Sequence, residues 1–124
     1  MADMTQQNPD SRLIVHNVGG ITTVEFVDKN ILEESNIQKI GDELSQIVER
    51  EGNPRVLVNF ENVQHLSSAA LGTLITINNK IRQKGGQLRL ASIDPQIYEV
   101  FVITKLNKLF QIYDDYDQAL KSFR

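Results

Sequence analysis

The 124-residue chain contains no cysteine, which excludes a disulfide framework, thiolate catalysis and thiol-ligated zinc. Its two histidines, His16 and His65, lie far apart, one on an expected strand and one on an expected loop. Neither has a visible partner, so both are read as surface or partly buried polar residues rather than ligands or proton carriers. Long apolar runs are absent too. The longest is four residues, Val100 to Ile103, far short of the ~20 that a bilayer-crossing helix requires. Met1 to Arg12 is polar, with no apolar stretch after a basic start, so no secretory signal is read there and a cytoplasmic location is expected. Basic charge is not in excess: 13 Lys and Arg stand against 16 Asp and Glu, for a net charge of −3 and a pI near 5.3. That balance lacks the electrostatic footprint of a nucleic-acid binder. There is no Gly-rich phosphate loop followed by Lys-Ser/Thr, no dinucleotide fingerprint and no paired-His zinc motif. The expectation is a protein without metal, cofactor or catalytic residues.

What remains is ample for one core, since 40% of the residues are hydrophobic and 23% charged. Residues 1–12, with Asn8-Pro9, are expected to form a flexible N-terminal tail, and residues 13–124 a single domain. Leu13-Ile14-Val15 and Ile21 to Val27 flank Gly19-Gly20, a dipeptide suited to a hairpin turn, which predicts an antiparallel pair. Ser35 followed by Gln38 reads as a capping box, with Ile37, Ile40, Leu44 and Ile47 at helical spacing as far as Arg50 and Gly52 as the stop. Val56 to Phe60 is a short apolar run that suits a central strand buried on both faces. A second helix is expected from Ser67 to about Lys84, ended by Gly85-Gly86, and then a strand carrying Leu88 and Leu90. Asp94-Pro95 supplies an N-cap and first-turn proline for a third helix lined by Ile97, Val100, Phe101 and Thr104. A short strand at Phe110 to Tyr113 and a helix from Asp114 to Phe123 close the chain. The order ββαβαβαβα defines an α/β fold class: a mixed, mostly parallel sheet with an initial antiparallel hairpin, covered by about four helices.

The strand-to-helix junction from Phe60 to Gly72 is the candidate site. The carboxyl end of a parallel strand faces an open crevice, and the helix that follows presents unpaired N–H groups. Taking Ser67 as the N-cap makes Leu66 and Leu71 the halves of a hydrophobic staple and leaves Ser68 at N1. A hydroxyl there is not consumed by capping, and a phosphate on it is tolerated by the helix dipole. From Asn62 to Ile93 there is no Asp or Glu, whereas Lys80, Arg82, Lys84 and Arg89 are present. The ordinary role of those cations is to complement the helix C-terminus. The outer helix face is expected to offer Thr73, Thr76, Asn79, Lys80 and Gln83, an uncharged-to-basic surface suited to an acidic partner.

Over roughly Leu13 to Phe123 the chain resembles the STAS domain, the family of bacterial anti-sigma factor antagonists and related modules. The resemblance rests on Leu57-Val58-Asn59-Phe60 with Glu61-Asn62-Val63, the Ser67-Ser68 and Leu71-Gly72 helix start, the run Lys84-Gly85-Gly86-Gln87-Leu88, and Thr104 to Phe110. It implies a STAS-like domain over residues 13–124 and, as partner, an anti-sigma factor with serine kinase activity. That kinase phosphorylates one serine at the start of the second helix and releases the antagonist, and a serine phosphatase resets the switch. Aligned through Leu71-Gly72, the family's Asp-Ser-Ser-Gly-Leu-Gly becomes Ser67-Ser68-Ala69-Ala70-Leu71-Gly72, so Ser68 matches the phosphoacceptor. Ser67 replaces the acidic residue and is a competing acceptor, while Ala69 and Ala70 replace Ser and Gly and stiffen the first turn.

The leading expectation is a non-enzymatic antagonist whose partner-binding surface comprises Ser67, Ser68, Ala69, Thr73, Thr76, Asn79 and Lys80, emptied by phosphorylation. The alternative is a constitutive STAS scaffold, or a regulatory subunit of a signalling or transporter complex, that is never phosphorylated. A hydrolase with Ser68 as nucleophile is disfavoured, because the Gly-x-Ser-x-Gly turn is absent and His65 is too near in the chain for triad geometry.

Overall fold

A computed structural model of the protein describes residues 11–123. The chain opens with β1 (Leu13–Val18) and β2 (Ile21–Phe26), antiparallel, with Val18 opposite Ile21. Gly19 and Gly20 between them have φ of 59° and 86°, the left-handed pair that a two-residue hairpin turn demands. The expected tail over Met1 to Asp10 lies outside the described residues, but Ser11 and Arg12 are already attached. The Ser11 hydroxyl and the Arg12 backbone N–H both donate to the Glu43 carboxylate, and the Arg12 guanidinium pairs with Asp28 at 3.1 Å.

After the short β3 (Asn30–Ile31) comes α1 (Glu34–Arg50), which buries Ile37, Ile40, Leu44, Ile47 and Val48. Its start corrects the Ser35 capping box. Glu33 is the N-cap residue, its carbonyl accepts the Ile37 N–H at 3.0 Å, and Ser35 lies exposed inside the first turn. The reason is upstream: Ile31 is buried in β3 and only Leu32 and Glu33 separate it from the helix, so the first turn is already wound when the chain reaches Ser35. Gly52 follows the extended Glu51 and is not left-handed, so it is not the conformational stop expected of it.

The remaining elements are β4 (Arg55–Asn59), β5 (His65–Leu66), α2 (Ser68–Gln83), β6 (Gln87–Ala91), α3 (Pro95–Ile103), β7 (Gln111–Tyr113) and α4 (Tyr116–Lys121), with a 3-10 turn at Leu106–Lys108. The main sheet runs β1-β2-β4-β6-β7; every neighbouring pair after β1–β2 is parallel. A second, two-stranded parallel ladder joins β3 to β5. Neither of its strands was expected, because two-residue strands carry no periodicity to read.

β4 feeds two cores, which is why it reads as an unbroken apolar run. Val56 and Val58 join a cluster with α1, α2 and the inner side of α3, whereas Leu57 joins Ile21, Ala91, Ala119 and Phe123 under α4. All three side chains are fully buried. Gly85, at φ 72°, closes α2 with paired bonds: Gly85 N–H to Arg82 O at 3.0 Å and Gly86 N–H to Ile81 O at 2.8 Å. α3 departs from its expected lining. Ile97 and Phe101 are buried, but Val100 is 41% exposed and Thr104 is exposed, because the helix meets the core along one narrow i, i+4 seam. Among the described residues no helix is long and apolar enough to cross a membrane.

Candidate functional site

The junction after β4 is fixed by local bonds before any helix begins. Phe60 is fully buried, 5.3 Å from the Phe26 ring centroid, and its N–H donates to Ala91 O at 2.8 Å. The buried Asn59 side chain accepts the Glu61 N–H at 3.0 Å and turns the chain out of the sheet. β5 then pairs with β3, and Ser67 N–H donates to Ile31 O at 3.1 Å. This small ladder, invisible in the hydropathy pattern, holds the entrance of α2.

At that entrance the two serines are sharply different. Ser67 has extended backbone (φ −82°, ψ 164°) and its Oγ accepts the Ala70 N–H at 3.3 Å, so it is the N-cap. Ser68 occupies the first helical position, is exposed, and its hydroxyl has no hydrogen-bond partner among the described residues. Leu66 and Leu71, the expected staple, both line a shallow cleft of about 160 Å³ between this turn and α3. Ile97 and Val100 form its far wall. His65 is exposed on the rim, with Nδ1 2.7 Å from Asn30 Oδ1.

From Ser68 an exposed stripe runs along α2 through Ala69, Gly72, Thr76, Asn79 and Gln83. Thr73 and Lys80 stand beside it, half-buried against α1. The Thr73 methyl is 3.2 Å from where a Cβ on Gly41 would lie, and Lys80 Nζ donates to Ser45 Oγ at 3.1 Å. The threonine hydroxyls are spent locally, Thr73 on Ala69 O and Thr76 on Gly72 O. The basic run also has structural employment. Lys84 Nζ donates to Val48 O and Glu49 O at 2.9 and 3.0 Å, capping the last carbonyls of α1 rather than its own helix. Arg89 donates to Ser122 Oγ and lies over the Phe123 ring. Around Ser68 the first turn of α2 carries no acidic residue, so its surface is small, neutral and open.

Residues 12–119 match the model of the STAS domain, and the chain belongs to that family. A curated relative, named a putative anti-sigma factor antagonist, BtrV, from Bordetella bronchiseptica, is 25% identical over 96 residues, 77% of this chain and 82% of that protein. Among solved structures, an anti-sigma-factor antagonist (STAS) domain protein from Planctomyces limnophilus superposes with a TM-score of 0.81 at 21% identity, covering 89% of this chain and 96% of that one. The phosphorylated form of the Bacillus cell fate determinant SpoIIAA superposes with a TM-score of 0.67 at 15% identity, covering 90% of this chain and 99% of that one. The mixed sheet with its leading antiparallel hairpin and four helices is thus the STAS fold.

Proposed function

We propose that this protein is a cytoplasmic anti-sigma factor antagonist that works by partner switching and has no catalytic activity of its own. Unphosphorylated, the turn at Ser67, Ser68 and Ala69 and the stripe through Thr76 and Asn79 dock an anti-sigma factor with serine kinase activity, with Thr73 and Lys80 at the flank. Phosphorylation of Ser68 breaks the complex, and a serine phosphatase restores it. The observation that carries this reading is the free, exposed hydroxyl of Ser68 on the first turn of α2, next to a Ser67 hydroxyl already engaged in capping. The name of the Bordetella relative and the phosphorylated state of the Bacillus structural neighbour support it.

The physics of release is asymmetric. Within the free protein a phosphate at N1 meets the positive end of the helix dipole and costs little. Inside a complex the same dianion must be desolvated against a surface that was built around a neutral hydroxyl. A hundredfold loss of affinity needs only about 2.7 kcal/mol, within the cost of one such burial. The test is Ser68→Ala, with Ser67→Ala as control. Ser68→Ala retains partner binding and abolishes kinase-dependent phosphate incorporation, whereas Ser67→Ala keeps both. Undiminished phosphate incorporation in Ser68→Ala rejects the assignment.

A further inference from the structure

A second concavity lies at the opposite end of the sheet, beside the first residues of β2 and β4, where the β1–β2 turn approaches α4. Its volume is about 440 Å³, within the ~300–1,000 Å³ range of small-molecule sites. The apolar side is made by Val18, Ile21, Leu120 and Phe123. Two of these form a firm floor: Ile21 and Phe123 are buried, and the Phe123 ring is backed by the Arg89 guanidinium 4.9 Å from its centroid.

The polar side is distinguished by cations that form no ion pair among the described residues. The side chain of Arg55, the half-buried first residue of β4, makes no hydrogen bond or ion pair among the described residues. It is held by packing instead: a Cβ on Gly20 would stand 2.9 Å from its Nη2, so the left-handed glycine turn leaves the space it fills. A half-buried guanidinium with open N–H donors is an acceptor-seeking group, and its planar fork matches a carboxylate. Lys121, with no ion pair among the described residues, adds a second cation to the lining, and Asp117, one helical turn earlier, is the opposing charge. Among the described lining residues, two cations stand against one carboxylate.

We propose that this groove binds a small amphipathic carboxylate, its head on Arg55 with Lys121 nearby and its apolar body on Val18, Ile21, Leu120 and Phe123. The site is separate from the Ser68 turn and does not depend on the partner-switching reading. The experiment titrates the full-length, 15N-labelled protein with decanoate below its micelle concentration, followed by amide chemical shifts, with decanol as the neutral comparison. Saturable shifts are expected on residues 18–21, 55 and 117–123. Decanol and Arg55→Gln are each expected to weaken binding at least about tenfold, the loss of a charge-assisted pair. Absence of saturable shifts, shifts centred elsewhere, or equal affinity for decanol would overturn the proposal, as would unchanged affinity in Arg55→Gln. If Arg55→Gln loses its dispersed spectrum, Lys121→Gln, which alters only an exposed side chain, decides together with decanol. A smaller but measurable weakening by Lys121→Gln upholds the site, and no change in either comparison rejects it.

Discussion

Ser67 and Ser68 are adjacent and chemically identical, yet their truncation to alanine has different consequences for stability. Ser67→Ala removes the cap on the Ala70 N–H, for which typical losses are about 0.5–2 kcal/mol. Two details place this case in the lower half. The Oγ contact is long, at 3.3 Å, and the same N–H also meets the Ser67 carbonyl at 3.1 Å, so truncation leaves the donor partly satisfied. The expected cost is therefore about 0.5–1 kcal/mol. With an unfolding entropy of roughly 2.1 cal/mol/K per residue, a chain of this length melts about 2–4 °C lower. Ser68→Ala loses no bond and places a strong helix former at an exposed first-turn position, so its effect stays within about 0.5 kcal/mol of zero. Differential scanning calorimetry of the two variants beside the parent protein measures this. A Ser68→Ala variant as destabilised as Ser67→Ala, or a Ser67→Ala variant indistinguishable from the parent, refutes the division into a capping serine and a free one.

Ser68→Glu places a carboxylate at the positive end of α2, which carries no acidic residue in its first turn, and should stabilise by about 0.3–1 kcal/mol in chemical denaturation. The same variant should lose partner affinity by isothermal titration, because the added charge falls on the docking surface; destabilisation with undiminished binding would contradict both statements. Leu57→Ala empties a fully buried position between β4 and α4 and should cost about 2–5 kcal/mol in urea denaturation, far beyond any change on the α2 stripe. Gly86→Ala would set a Cβ 2.1 Å from the Pro54 carbonyl oxygen; backbone must move, and a loss of at least about 1–3 kcal/mol is expected by the same assay.

Much of the candidate site was legible in the sequence because its cues are local. The Ser67 cap, the N1 position of Ser68 and the Asp94-Pro95 start follow from which backbone N–H groups lack partners at a helix start and which side chains reach them. The glycine turns at 19–20 and 85–86 follow from sterics at positive φ. The Ser35 cap misled because a locally good capping pattern was overruled by the entry of the chain from β3, a strand whose partner lies 35 residues away. Helical spacing located the exposed face of α2 but not its edge. Thr73 and Lys80 differ from Thr76 and Asn79 only in that α1 lies beside them, at Gly41 and Ser45. Asn78, buried next to the exposed Asn79, shows the same limit.

The amino-acid sequence by itself settled the order of the five main-sheet strands and four helices, the caps of α2 and α3, the glycine turns at 19–20 and 85–86, and a β4 apolar on both faces, since these depend on backbone sterics and burial over a few neighbouring residues. The tertiary structure alone decided which cations are occupied and which are open. Lys80 and Lys84 bond to α1, Arg89 bonds to Ser122 and stacks on Phe123, and the Arg55 guanidinium has no partner among the described residues. Pairing a long charged side chain depends on what the fold brings within about 3 Å of its tip, and the partners here stand some 30 residues or more along the chain.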